Sequence, residues 1–313
     1  MSSIDDSGES SVRVICGPTG AGKSALAMRL ADRYDAVILS ADSRQIYRGF
    51  DVGTAKPTTS DQSRIPHRGI DVADPEERYS AARWADEARV WMTEACVARR
   101  PVVIVGGTGF YLRALMEPLF HAPPLDPERR AALERVLRSI PTEELRRWCT
   151  ELDPARSDLG RTQLIRSVET ALLMGERLSD LHRTRARAPE IRARYLVVDP
   201  GPDLSARIER RFDAMMANGW PEEVEALARS VDATAPAWKS SGYAAVRELV
   251  AGRLTGEAAR ERVIIETRQY AKRQRTWFRH QLDDSLTTRI DPGGPDDERV
   301  DRVAQDWWEG RTE

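Results

Sequence analysis

Residues 12–24, Val-Arg-Val-Ile-Cys-Gly-Pro-Thr-Gly-Ala-Gly-Lys-Ser, constrain the fold more than any other stretch of the chain. Val12 to Cys16 is a short β-branched run that reads as a buried strand. It leads directly into Gly17-x-x-x-x-Gly22-Lys23-Ser24, and Ala25 to Leu30 then has helical composition. Strand, glycine loop and helix in that order are the context of a phosphate-binding loop, here Gly17, Pro18, Thr19, Gly20, Ala21, Gly22, Lys23 and Ser24. The glycines let backbone N–H groups turn inward around phosphate oxygens, and the helix N-terminus adds its partial positive charge. Lys23 supplies a mobile point charge, and the Ser24 hydroxyl is the expected Mg²⁺ ligand. The loop alone does not say which polyphosphate or pyrophosphate it takes.

The length of 313 residues suggests two domains, or one domain with a large insertion. No apolar run approaches the roughly 20 residues of a membrane span. Residues 1–11 are rich in Ser, Asp and Glu, which reads as a disordered N-terminus and neither a signal nor a transit peptide. Cys16, Cys96 and Cys149 are isolated and the four histidines scattered, so a zinc site or redox pair is not expected, and the expected compartment is the cytoplasm. The net charge of −2 hides an uneven distribution. Residues 268–280 carry five Lys/Arg and no acid, and 183–194 carry Arg183, Arg185, Arg187, Arg192 and Arg194 against Glu190. The acidic stretch 282–313 offsets both. Local basic stripes, not overall charge, are the footprint of a nucleic-acid partner.

Further along, 36–40 reads as a second buried strand ending at Asp42, a position where ligand groups gather in open parallel sheets. Lys56, in Gly53-Thr54-Ala55-Lys56-Pro57, is a second candidate phosphate contact. A helix over 81–99 precedes a third strand at 101–105, which opens into Gly106-Gly107-Thr108-Gly109, where Thr108 offers a hydroxyl and a backbone N–H to an anion. Composition then shifts: 121–189 reads as an all-helical insertion, and a strand at 196–199 restores the α/β core. The expected fold is therefore α/β, a P-loop NTPase-like parallel sheet flanked by helices with an inserted helical domain. Residues 12–120 and 190–282 form its catalytic core, and 283–313 an acidic tail with a short helix.

These pieces together resemble the tRNA dimethylallyltransferases, also called tRNA isopentenylpyrophosphate transferases. The resemblance rests on Gly17–Ser24, Asp42-Ser43-Arg44-Gln45, Gly53-Thr54-Ala55-Lys56-Pro57, Gly106-Gly107-Thr108-Gly109, Arg207 with Arg211, and Lys272-Arg273-Gln274 with Trp277, in family order along nearly the whole chain. It implies transfer of a dimethylallyl group from dimethylallyl diphosphate to N6 of the adenosine just 3′ of the anticodon in tRNA, with Mg²⁺ and not ATP at the phosphate loop. It implies Asp42 as general base, with Thr108, Lys23, Ser24 and Arg211 (Arg207 as the alternative) sharing the charge of the leaving diphosphate. Asp42, Ser43, Arg44, Gln45 and Thr108 would line the pocket for a flipped base. Lys272, Arg273, Gln274, Arg275, Trp277 and Arg279, with Gln163 and Arg166 of the insertion, would hold the anticodon stem-loop of a tRNA bound by a monomer with no membrane partner. Gln163 stands where the family usually has an arginine, and Ala244-Ala245 where it usually has Arg-Gln.

Three other readings fit the same residues. An adenylate dimethylallyltransferase uses the same donor on a free nucleotide, but the 268–280 helix and the insertion favour a polynucleotide acceptor. A P-loop kinase would use ATP as phosphoryl donor. A nucleotide-gated RNA-binding module would lack transfer chemistry, against which Asp42 and Thr108 weigh.

Overall fold

The structure, a computed structural model, describes residues 11–117, 126–184, 191–292 and 297–311. The chain divides into two compact units, one of residues 1–116 with 191–313 and the other of 117–190. The expected disorder of 1–11 lies outside the described residues, apart from Ser11.

The larger unit is built on a six-stranded parallel sheet in the order β3-β2-β4-β1-β5-β6. The strands are β1 (Ser11–Cys16), β2 (Val37–Ser40), β3 (His67–Arg68), β4 (Val102–Gly106), β5 (Arg192–Val198) and β6 (Thr287–Ile290). Its helices in this part of the chain are α1 (Lys23–Tyr34), α2 (Thr59–Arg64), α3 (Ala81–Val97) and α4 (Gly109–Met116). Ile15, Ile38, Val103, Val105, Leu196 and Val198 point to one face and share a core with α1. Their strand neighbours Val14, Leu39, Ile104 and Val197 point the other way and are also buried. A sheet covered on both faces accounts for strands that carry apolar residues on both sides. Cys16 pairs with Gly106, and Ser40 with Val105, so the loops that follow β1, β2 and β4 leave the sheet along one edge.

The smaller unit contains α5 (Pro127–Ser139), α6 (Thr142–Leu152), α7 (Arg161–Met174) and α8 (Leu178–Thr184). It has its own core of Leu137, Leu145, Cys149, Leu164 and Val168. The chain then returns through β5 to α9 (Leu204–Ala217), α10 (Trp220–Ser230), α11 (Tyr243–Val250), α12 (Gly256–His280) and α13 (Asp297–Glu309).

The C-terminal stretch is not a separate tail. β6 extends the sheet beside β5, and Val300, Ala304, Trp307 and Trp308 of α13 join the principal core. Trp308 stacks on Tyr34 with centroids 4.7 Å apart, and Arg13 Nε donates to its carbonyl at 2.9 Å. Glu298 and Glu309 of α13 are exposed on the outer face of an amphipathic helix whose apolar stripe is core. No described helix is long and apolar enough to cross a membrane.

Candidate active site

The phosphate loop owes its shape to glycines with positive φ. Gly22 (φ 99°) is the residue before α1, and Gly17 (φ 141°) crosses so close to β5 that a Cβ would meet the Val198 carbonyl oxygen at 2.1 Å. No side chain caps α1 and its first turn holds no acid, which leaves the first-turn N–H groups for an anion. Lys23 Nζ donates to the Pro18 carbonyl at 2.7 Å.

The loops after β2 and β4 are tied together. Thr108 N–H donates to the Ala41 carbonyl at 3.2 Å, and Ser43 N–H donates to Thr108 Oγ1 at 3.1 Å. Gly106 permits this approach, since a Cβ there would lie 2.1 Å from the Ala41 oxygen. Asp42 is half-buried, and its Oδ1 accepts from Arg44 N–H at 2.8 Å. Gln45 accepts from Ser40 Oγ and donates to the Ala55 carbonyl at 3.0 Å, joining the β2 loop to the Gly53–Pro57 loop.

That second loop is pinned from behind by residues the sequence reading did not single out. Glu223 Oε2 accepts the N–H groups of Asp51 and Val52, and its Oε1 accepts from the Tyr243 hydroxyl at 2.6 Å. Lys56, expected to meet phosphate, is instead buried and donates to Asp51, Asp71 and the Tyr47 carbonyl. Asp51 and Asp71, on either side of that loop in sequence, offset its charge.

These elements enclose a cavity of about 290 Å³ lined by Lys23, Ser24, Asp42, Gln45, Thr54 and Arg211 among others. A second pocket shares Thr19, Asp42, Thr54 and Arg211 with it. That pocket is walled by Ile208, Phe212, Met215, Trp220, Val263 and Ile264, with Arg44 and Tyr270 at its polar end. Arg44, Ser241 and Tyr270 continue into a surface groove with Lys239 and Arg273. A basic, aromatic-edged opening thus leads past Asp42 to the phosphate loop.

Of the two α9 arginines, Arg211 lines the cavity, whereas Arg207 lies beside Gly22 and donates to the Pro292 carbonyl at 2.7 Å. Burial depresses the Arg211 pKa, and the Asp42 carboxylate partly restores it. Burial, then Arg211, pull Lys23 down to about 8, against the opposing pull of Asp42 and Cys16. A cleft that holds two crowded, half-buried cations is prepared for an anion. The pH dependence follows from the sign of that shift. Anion binding favours the charged amine, so affinity for a diphosphate holds below about pH 8. Above it, affinity falls by up to about tenfold per pH unit as the free protein loses the proton. Calorimetry in buffers of different ionisation heat should record proton uptake on binding near pH 8–9 and little near pH 6.

Ser24 lines the same cavity and makes no hydrogen bond through its hydroxyl among the described residues. No group of three or more His, Cys, Asp or Glu that could hold a metal occurs among them. A single hydroxyl suits Mg²⁺, an ion held largely by phosphate oxygens and water.

The long helix α12 has two distinct faces. Lys272, Arg273 and Arg279 are exposed. Tyr270, Gln274 and Trp277 face inward onto three successive residues of the β4 loop. The Thr108 hydroxyl eases the rise that burial gives the Tyr270 pKa, Gln274 Nε2 donates to the Gly107 carbonyl at 2.8 Å, and Trp277 packs on Gly109. Gln274 is therefore buried beneath the surface where a tRNA contact was expected, and Trp277 is half-covered. Arg275, also expected on tRNA, donates to both Asp199 carboxylate oxygens and to the Gly201 carbonyl.

In the smaller unit, Arg166 pairs with Glu169 at 2.8 Å and Gln163 Oε1 accepts from Gly160 N–H at the start of α7. Of the 183–194 stripe, Arg183 pairs with Asp180 in the smaller unit, Arg192 and Arg194 belong to β5 of the larger one, and Arg185 and Arg187 lie outside the described residues.

The fold and this site define a class, the P-loop group-transfer enzymes, with a phosphate loop facing an acid and an arginine. Comparison with known proteins narrows the class. The family model described as IPP transferase matches residues 45–281, and a second, isopentenyl transferase, matches 10–72. A tRNA dimethylallyltransferase of Picosynechococcus sp. is 38% identical over 86% of this chain and 91% of its own length. The crystal structure of the tRNA isopentenylpyrophosphate transferase of Bacillus halodurans superposes with TM-score 0.70 and 28% identity over 97% of each chain. A eukaryotic dimethylallyltransferase acting on tRNA shares the fold, with TM-score 0.78 at 23% identity over 96% of this chain and 80% of the other. The chain belongs to the tRNA dimethylallyltransferase family of IPP transferases.

Proposed function

We propose that this chain transfers the dimethylallyl group of dimethylallyl diphosphate to N6 of the adenosine just 3′ of the anticodon in tRNA, releasing diphosphate. The observation that carries the reading is the continuous opening from Arg44, Tyr270 and Arg273, past Asp42, to Lys23 and Arg211. An acceptor base and a diphosphate ester brought to opposite ends of it meet at Asp42. The base must leave its stack to get there, and the aromatic ring of Tyr270 at the mouth suits an unstacked base.

The N6 lone pair attacks C1 of the allyl group, the C1–O bond breaks, and its electron pair leaves with the diphosphate. Asp42 accepts the N6 proton. An exocyclic amine is a weak nucleophile, so the rate depends on alignment and on stabilising the departing charge. Lys23, Arg211 and the first-turn N–H groups of α1 supply that stabilisation, and the hydroxyl of Thr108 helps hold the Asp42 loop. Ser24 is the residue that would hold Mg²⁺, which when bound neutralises the diphosphate as it leaves. We read the protein as a cytoplasmic monomer.

Incubation with Mg²⁺, dimethylallyl diphosphate and either bulk tRNA or AMP tests the acceptor class. Isopentenyladenosine is expected in the tRNA reaction alone, and product from AMP alone overturns the reading. The two faces of α12 give a separate expectation. Replacing Lys272 and Arg273 by alanine should weaken tRNA binding and reduce the salt slope of log K by about 1.5, as loss of two phosphate contacts does. Arg275→Ala should instead lower the melting temperature, because Asp199 loses its partner, and leave the slope unchanged. Filter binding across a salt series separates the two.

A further inference from the structure

We propose that Gln274 is a positioning residue for the donor: it sets the phosphate loop against the second glycine loop and so fixes where the diphosphate lies. The proposal rests on the reading above that Gly17–Ser24 holds the donor. Gln274 is 6% exposed, although it sits between the exposed Lys272–Arg273 pair and the half-buried Arg275 on a strongly basic helix. Its Oε1 accepts from Thr19 N–H at 2.8 Å, and its Nε2 donates to the Gly107 carbonyl at 2.8 Å. One backbone donor and one backbone acceptor, on loops from different strands, are thus bridged by the two ends of one amide. A carboxylate lacks the donor for this and an ammonium lacks the acceptor. The approach is close enough that a Cβ on Gly107 would lie 2.2 Å from Nε2, so the glycine and the glutamine are fitted to each other.

Thr19 lies between Gly17 and Gly20, the two points at which the loop takes positive φ before Gly22. Tying its N–H to α12 removes that donor from the ligand's set and fixes the loop midway along its path. The N–H groups that follow are left in one arrangement facing the cavity. Trp277, on the same helical face, packs on Gly109 of the same segment, and Tyr270 completes the i, i+4, i+7 spacing of one stripe. Of the three, Gln274 reaches both glycine loops.

The test uses the full-length protein with dimethylallyl diphosphate, inorganic diphosphate and tRNA. Gln274→Met keeps the length of the side chain and removes both hydrogen bonds. It should raise KM for dimethylallyl diphosphate and Kd for inorganic diphosphate by about 10- to 100-fold, as a small misplacement of binding groups does. The Kd for tRNA should stay within about twofold, because the exposed basic face is untouched. Gln274→Glu can still accept from Thr19 but cannot donate to Gly107 while ionised. Its donor KM should improve as the pH is lowered and the carboxyl gains a proton. This variant carries the test if the methionine variant does not fold. A rise in tRNA Kd with a reduced salt slope and an unchanged donor KM would overturn the proposal and make Gln274 a tRNA contact. A lower melting temperature with wild-type donor KM, and no pH effect in the glutamate variant, would overturn it in favour of a purely structural role. A wild-type protein that binds neither diphosphate would overturn the donor reading itself and this inference with it.

Discussion

Replacing Asp42 by asparagine is expected to lower kcat by about 10²- to 10⁴-fold, the range a positioned general base supplies, while tRNA affinity stays within about twofold. The asparagine keeps an oxygen to accept the Arg44 N–H bond that Asp42 makes at 2.8 Å, so the loop after β2 retains its shape. What is lost is the carboxylate as proton acceptor and its attraction for Arg211 and Lys23. The loss should therefore appear in single-turnover transfer and not in tRNA binding measured on filters. Turnover above about one-tenth of wild type would remove Asp42 as the base.

Arg211→Gln is expected to lower kcat by about 10²- to 10³-fold, the effect of removing one donor aimed at charge that develops in the transition state. Arg207→Gln should change it by less than about tenfold, because Arg207 already donates to the Pro292 carbonyl and does not line the cavity. The pair also has a signature in pH. Arg211 is the second cause, after burial, of the depressed Lys23 value of about 8, so its removal should move the alkaline loss of diphosphate affinity to higher pH. Equal losses in the two variants would contradict the assignment of the leaving-group charge to Arg211.

The parallel sheet and the edge on which the site lies were legible in the sequence because each depends on local pattern. Val12–Cys16 is a β-branched run interrupted by Arg13, 36–40 and 101–105 are apolar runs but for Ser40, and the glycine loops follow directly on the first and third. The belonging of the chain to a prenyl-transferring family was legible in the same stretches. What escaped the reading depends on contacts between distant segments. Lys56 looks free in sequence, and only the fold brings Asp51 and Asp71 onto its amine. Glu223 lies more than a hundred residues from the loop it pins. β6 is a four-residue edge strand, Thr-Thr-Arg-Ile, too short and too polar for an alternating pattern to register. On α12 the charges drew the whole run outward in the reading. Yet Tyr270, Gln274 and Trp277 recur at i, i+4 and i+7, and that period was there to separate an inward face from the basic one.

The central claim is that a tRNA adenosine and an allylic diphosphate meet at Asp42. Its most direct test is to react the purified protein with Mg²⁺, dimethylallyl diphosphate and bulk bacterial tRNA, then map the modified fragments by nuclease digestion and mass spectrometry. The prenyl group is expected on N6 of the adenosine just 3′ of the anticodon, with one diphosphate released per group transferred. Unmodified tRNA, with ATP consumed in a parallel reaction, would contradict the account and return the chain to the P-loop kinases.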